Sequence, residues 1–161
     1  MKNSPEWLAL QQAYGVCRVH EEALRGAIDD LKRRRLAAAD LDALSKEDRR
    51  LLDQFAYRYT RLQDDMGAKL IPAALRALGE EVAAMPMLDR LSRMEQLGWL
   101  PDAEEWADLR RIRNEFAHDY PETMEEQFER LQLAITSAQT VTGIFNSISH
   151  KIRERFPGME P

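Results

Sequence analysis

The chain has 161 residues, a formal net charge of −5 and 44% hydrophobic residues. This length suits one domain with a single core and is short for two. The acidic balance excludes a protein that coats nucleic acid by bulk electrostatic attraction, although it allows a local basic site.

The composition predicts a helical protein outside the membrane. Gly and Pro number only seven each, whereas Leu, Ala, Glu and Arg are abundant. No apolar run approaches the roughly 18–20 residues needed to cross a bilayer, and no secretory signal follows the N-terminus. The single cysteine, Cys17, can form no internal disulfide. We therefore expect a cytoplasmic protein with no membrane partner.

The first helix is predicted to begin at Ser4 and Pro5, a capping residue followed by proline. Apolar residues then recur every three or four positions for about 30 residues, which is typical of one buried face. Glu21 lies on this face, between Cys17 and Leu24. Its carboxylate is expected either to reach water at the edge of the face or to meet a buried cation.

The second helix is expected to begin at Ser45, after a connection over 37–44, and to end at Gly79. Gly67 and Pro72 predict a kink or an interruption within it. A polar row runs beside its apolar stripe: Gln54, Arg58, Arg61, Asp65 and Lys69. This row is either a solvated flank held by ion pairs or the wall of a cleft or dimer interface.

Three further helices are predicted, starting near Pro86, Asp102 and Thr123. The whole pattern predicts an all-α fold: a five-helix, mostly up-and-down antiparallel bundle with short connections. Residues 1–154 would form a single helical domain, and residues 155–161 a frayed C-terminal tail.

The residues that indicate chemistry are concentrated in the stretch 113–121, RNEFAHDYP. The guanidinium of Arg113 offers a rigid fork of donors to phosphate oxygens. The imidazole of His118 can give or take a proton near neutral pH. This combination indicates phosphate chemistry.

On a helical wheel Arg113 falls between Trp106 and Leu109, inside the apolar arc. A buried guanidinium needs a partner, and the candidates are a carboxylate, such as that of Glu21 or Asp65, or a ligand phosphate. Alternatively, its stem packs while its head reaches water. His118 lies about 140° from Arg113 on a regular helix. Either the helix opens before His118, as Pro121 permits, or the two side chains meet groups from another element or subunit.

The pattern Arg-x4-His-x-Tyr, with Asn114 directly after Arg113, resembles the signature of the HEPN superfamily. More narrowly, it is similar to the HEPN toxins that are paired with a minimal nucleotidyltransferase antitoxin. The segments 59–69 and 88–91 also look like one branch of these proteins, so that the likeness spans roughly residues 50–150.

The resemblance implies a metal-independent endoribonuclease toxin without a cofactor. It would be a homodimer that cleaves RNA by 2′-hydroxyl attack at a site on the dimer interface. His118 would transfer protons, and Arg113 would bind the phosphate and stabilise its developing charge. Asn114 would orient either the phosphate or His118. Tyr120 would accept nucleotidyl groups from the nucleotidyltransferase partner, which would silence the enzyme; otherwise it packs the helix end. Candidate supporting residues are Glu21, Arg58, Arg61 and Asp65.

Two other functions fit the same residues. One is a non-catalytic helical module that binds a nucleotide or presents a substrate to a nucleotidyltransferase. The other is a purely structural adaptor, in which Arg113 and His118 have no chemical role. The three histidines, His20, His118 and His150, are scattered and predict no metal site.

Overall fold

The computed structural model describes residues 1–118 and 122–161. Within these residues the protein is all-helical and contains no β-strand. The described part holds five helices: α1, Pro5–Arg34; α2, comprising Lys46–Asp65, the π-helical turn Met66–Leu70 and Ile71–Ala77; α3, Met87–Gln96; α4, Ala103–Ala117; and α5, Met124–Arg155. A 3-10 turn, Ala38–Asp42, lies in the connection between α1 and α2.

Local sequence signals account for most helix ends. Four helices begin at a side chain that accepts a hydrogen bond from a backbone N–H of the first turn: Ser4, Ser45, Asp102 and Thr123. After α2 and α3 the chain turns at Gly79 and Gly98, whose φ angles are +90° and +78°. Only glycine adopts such angles at little steric cost, which explains why these two helices stop where the sequence predicts.

The expected break in α2 is a π-helical turn that keeps the helix continuous. The N–H of Ile71 donates to the carbonyl of Met66, five residues earlier. Pro72 has no N–H and therefore cannot make the regular bond to the fourth preceding carbonyl. The wider turn directly before Pro72 accommodates this missing bond. Such turns are frequent at functional sites, and this one follows Asp65 directly.

A single cluster of buried side chains draws on all five helices. α1 lies against α2 and α5, while α2 also contacts α4. Where α2 meets α4, the rings of Phe55 and Tyr59 stack with centroids 5.6 Å apart, and Phe116 contacts both. This aromatic contact fixes α4 against α2 near the stretch that contains Arg113.

Residues 155–161 differ from the frayed tail expected from the sequence. Phe156 and Met159 are buried, and the Phe156 ring lies edge-on to that of Trp99, with centroids 6.5 Å apart. The amide of Gln11 on α1 donates to the carbonyl of Glu160 at 3.1 Å. Apolar burial therefore holds the tail against the bundle. No helix in the described ranges is both long and apolar enough to cross a membrane.

The core predicts a clear contrast between two identical substitutions. Leu62 on α2 is completely buried, whereas Leu88 on α3 is 68% exposed. Leu62→Ala should lower the free energy of unfolding by about 2–5 kcal/mol, since it removes apolar burial and leaves a cavity. Leu88→Ala, the matched control, should change it by less than about 0.5 kcal/mol. Urea unfolding followed by circular dichroism measures both; equal losses would contradict the described core.

Candidate functional site

Arg113 is held at the junction of α4 and α2. Its side chain is only 18% exposed, and its Nη2 lies 2.6 Å from Oδ2 of Asp64. The guanidinium is therefore neither in bulk solvent nor unpaired. A carboxylate partner was among those expected from the sequence, but neither of the two acids named there, Glu21 and Asp65, supplies it; the neighbouring acid Asp64 does.

The geometry of α2 explains which acid pairs with Arg113. Consecutive helical residues point about 100° apart, so Asp64 and Asp65 face different helices. Asp64 reaches Arg113 on α4. Asp65 is buried and faces His20 on α1, with 3.4 Å between its Oδ2 and the imidazole Nε2. Two adjacent residues of α2 thus belong to two different ionic groups, and the sequence did not indicate which of them pairs with Arg113.

A cavity of about 290 Å³ lies beside Arg113, between α2 and α4. Its lining includes Arg113, Asn114, Arg110, Asp64 and Gln63. Gln63 is 3% exposed, and within the described chain neither of its amide atoms has a hydrogen-bond partner. The Nε of Arg113 likewise has no hydrogen-bond partner in the described chain. Leaving a buried polar group unpaired costs about 1–3 kcal/mol, so this cavity has unused hydrogen-bonding capacity facing a cation.

Tyr59 adds a phenol near Arg113. Burial raises the pKa of Tyr59 to about 12, and the positive charge of Arg113 opposes this rise only in part. The hydroxyl of Ser137 also opposes this rise. The phenol is therefore protonated at neutral pH, and it can donate a hydrogen bond but cannot act there as a base.

His118 lies just past the end of α4, which ends at Ala117. Its backbone is extended, with φ −90° and ψ 140°. Its carbonyl accepts a hydrogen bond from Nη1 of Arg130 at 2.6 Å. Of the two arrangements expected from the sequence, this is the one in which the helix opens before His118. The wheel angle between Arg113 and His118 therefore does not apply. Tyr120 lies outside the described residues.

A second polar group connects α1 and α2 around His20, a residue that the sequence analysis did not single out as functional. Nη1 of Arg58 donates to Nδ1 of His20 at 2.9 Å. Arg61 and Lys69 lie 3.6 and 3.7 Å from the carboxylate of Asp65. The structure thus brings together His20 and three of the candidate supporting residues, Arg58, Arg61 and Asp65. None of these three forms an ion pair with Arg113.

The His20 group favours a neutral imidazole. Burial lowers the pKa of His20; Asp65 opposes this shift, whereas Arg58 and Arg61 reinforce it. The hydrogen bond from Arg58 requires a lone pair on Nδ1, so the remaining proton lies on Nε2, which faces Asp65. The group is consistent with a structural tie between α1 and α2.

Glu21, the fourth candidate supporting residue, lies in a third place. Its side chain is 2% exposed, and its Oε1 is 3.7 Å from Nε of Arg25. Burial raises the pKa of Glu21, and Arg25 and Arg18 oppose the rise. Glu21 therefore does not reach water at the edge of the apolar face, and its nearest cation comes from its own helix.

The structure provides no metal centre in the residues it describes, since no three His, Cys, Asp or Glu side chains there are grouped to hold an ion. Cys17 is buried, and burial raises the pKa of its thiol to about 12. The thiol is therefore protonated and inaccessible at neutral pH, which excludes it as a nucleophile.

The sequence contained a signal for the two polar residues that were missed. Gln63 follows Tyr59 by four positions and precedes Met66 by three, so it belongs to the apolar arc of α2. His20 stands three after Cys17 and four before Leu24 in the same way. A polar side chain at such a position is expected to be buried.

Comparison with known proteins identifies no family for this chain: no family model, no curated protein and no solved structure matches it.

The His20 group predicts a pH-dependent stability. Because the folded pKa of His20 is lowered, the unfolded chain binds its proton first, and stability should fall as pH drops through the unfolded value of about 6.5. His20→Gln should flatten the decline between pH 7 and about pH 5.5. His150→Gln, an exposed histidine, should leave it unchanged. Urea unfolding at each pH provides the measurement, and parallel curves for wild type and His20→Gln would contradict the buried neutral imidazole.

Proposed function

We propose that this protein is an HEPN-like, metal-independent endoribonuclease that uses Arg113, Asn114 and His118. One observation carries the proposal. The guanidinium of Arg113 is largely buried, yet its Nε has no partner in the described residues and lies beside a cavity. A largely buried arginine with an unpaired N–H at a cavity is suited to an anionic ligand, because burial strengthens each hydrogen bond that the guanidinium makes.

The cavity suits a phosphate that is joined to a larger nucleic-acid fragment. Arg110, one turn before Arg113, lines the same cavity and adds a second positive charge. Asp64 holds one nitrogen of the Arg113 fork and so orients the remaining donors. Asn114 contributes an amide at the same wall. Preoriented donors of this kind stabilise the charge that develops on a phosphate during transfer.

The proposed reaction needs one base, one acid and no metal. The base removes the proton of a ribose 2′-hydroxyl, and the 2′-oxygen attacks the adjacent phosphorus. The bond from phosphorus to the 5′-oxygen breaks, and the acid protonates this oxygen. The products are a 2′,3′-cyclic phosphate and a 5′-hydroxyl. We assign a proton-transfer role to His118 and phosphate binding to Arg113.

We further propose that the working unit is a homodimer with a nucleotidyltransferase antitoxin as its partner. A single motif offers one imidazole, whereas the reaction needs both a base and an acid; a two-fold dimer supplies a second copy of each group. Nucleotidylation of Tyr120 would add bulky anionic groups, which would block the cleft and repel RNA. In this proposal the protein is a cytoplasmic toxin.

A non-catalytic nucleotide-binding module is the second candidate. Gln63 is the observation that favours it, since its buried amide presents an unpaired donor and an unpaired acceptor at the cavity. An amide of this kind can pair with the edge of a nucleobase. Nucleotide binding requires no proton transfer by His118, whereas RNA cleavage does. The two candidate functions therefore differ in their need for this residue.

RNA cleavage tests the first candidate. The purified protein should cut a generic RNA in the presence of EDTA and leave 2′,3′-cyclic phosphate ends. Arg113→Ala and His118→Ala should each lower the cleavage rate by about 100-fold or more, because each removes a group that acts on the reacting phosphate or its protons. Arg111→Ala, an exposed arginine paired with Asp108, is the matched control. If neither variant differs from this control, the nuclease assignment is overturned.

Nucleotide binding tests the second candidate. Calorimetry with AMP should detect binding that Gln63→Leu weakens by about tenfold or more, because the apolar side chain cannot pair with a base edge. Gln54→Leu, an exposed glutamine on the same helix, should leave the affinity unchanged. AMP binding that survives Gln63→Leu would exclude a base-reading role for this amide.

A further inference from the structure

A second polar cavity lies between α1 and α5 and shares no residue with the cavity beside Arg113. Its volume is about 320 Å³. Three arginines line it, together with an acid, a hydroxyl and an amide: Arg18, Arg25, Arg153, Glu21, Ser149 and Asn146. Such a concentration of polar side chains is unusual between two helices that pack against each other.

Two of the lining side chains are buried without hydrogen-bond partners. Glu21 and Ser149 are 2% and 4% exposed. Neither Oε1 of Glu21 nor Oγ of Ser149 forms a hydrogen bond in the described residues. The Nε of Arg25, at 3.7 Å, is too far from Oε1 for one. Burial also raises the pKa of Glu21. A carboxyl group and a hydroxyl in this condition lack the groups that would normally satisfy them.

The arginines keep donors available for an anion. Arg18 uses its Nε on Glu22 at 2.8 Å, and Arg153 uses one Nη1 on the hydroxyl of Tyr14 at 3.3 Å. Each guanidinium has five N–H donors in all, so both retain several. The three arginines face the carboxyl group of Glu21 and that of Glu22, which pairs with Arg18, so the charge around the cavity is positive on balance.

We propose that this cavity binds a small phosphorylated ligand that carries hydroxyl groups, of the sugar-phosphate class. The phosphate would lie among Arg18, Arg25 and Arg153. A hydroxyl of the ligand would donate to Oε1 of Glu21, and Ser149 and Asn146 would bind a neighbouring hydroxyl.

The chemistry of Glu21 selects this class over a simple anion. A carboxylate repels inorganic phosphate, but it accepts hydrogen bonds from ligand hydroxyls and so favours a ligand that has both features. The volume lies at the lower end of the range of about 300–1,000 Å³ for small-molecule sites. A sugar phosphate is of this size. The site is independent of the ribonuclease proposal.

Calorimetry with ribose 5-phosphate tests the proposal directly. The wild-type protein should bind it at least about tenfold more tightly than inorganic phosphate or ribose alone. Glu21→Gln should weaken ribose 5-phosphate by about tenfold while leaving inorganic phosphate unaffected or slightly stronger. Arg153→Gln should weaken both phosphate compounds. Arg49→Gln, an exposed arginine outside the cavity, and Glu129→Gln on α5 are the matched controls.

A second pair of variants covers the case that a charge variant fails to fold: Ser149→Ala in the cavity, and Ser147→Ala at an exposed position nearby as its control. Only Ser149→Ala should lower the affinity for ribose 5-phosphate. The proposal is overturned by absence of binding at millimolar ribose 5-phosphate. It is equally overturned if inorganic phosphate binds as tightly as ribose 5-phosphate, or if the cavity variants bind like their controls. Thermal midpoints of all variants verify that each one is folded.

Discussion

The segment of α2 from Tyr59 to Asp65 must satisfy polar groups that the packing of two other helices removes from water. Asp64 pairs with Arg113 on α4, and Asp65 with its cations faces His20 on α1. Arg113 is largely buried and depends on Asp64, which is itself 47% exposed, for its compensating charge. Asp65 is buried; its cations Arg61 and Lys69 come from α2 itself, and the neutral His20 of α1 faces it. The two adjacent carboxylates thus tie three helices together in one relative arrangement.

The same constraint creates the candidate site. Helix α4 must place Arg113 against Asp64, and this placement encloses a cavity beside α2 instead of closing it with apolar side chains. Gln63 and Nε of Arg113 keep unused hydrogen-bonding capacity there. A protein core usually satisfies its buried polar groups, and exceptions of this kind are typical of sites that bind a ligand. The ribonuclease proposal depends on this feature more than on any other.

The candidate site residues and the His20 group fall into three separate places. Arg113 and Asn114 line the α2–α4 cavity, the His20 group lies between α1 and α2, and Glu21 lies between α1 and α5. A histidine held neutral by burial and by an arginine is suited to maintaining helix packing. An acid among arginines with no hydrogen bond of its own is suited to a ligand. The three places therefore have different physical roles.

The sequence alone determined the five helices and the position of Arg113 within an apolar arc. Capping side chains such as Ser45, glycines such as Gly79 and the spacing of apolar residues act within one helix, so they can be interpreted without knowing the partners. Tertiary structure alone decided that Asp64 and not Asp65 pairs with Arg113, that Gln63 faces a cavity and that Phe156 joins the core. Each of these outcomes depends on which neighbouring helix occupies a given direction around α1, α2 or α5. Helical spacing specifies that direction only to within one residue, and a shift of one residue turns a side chain by about 100°.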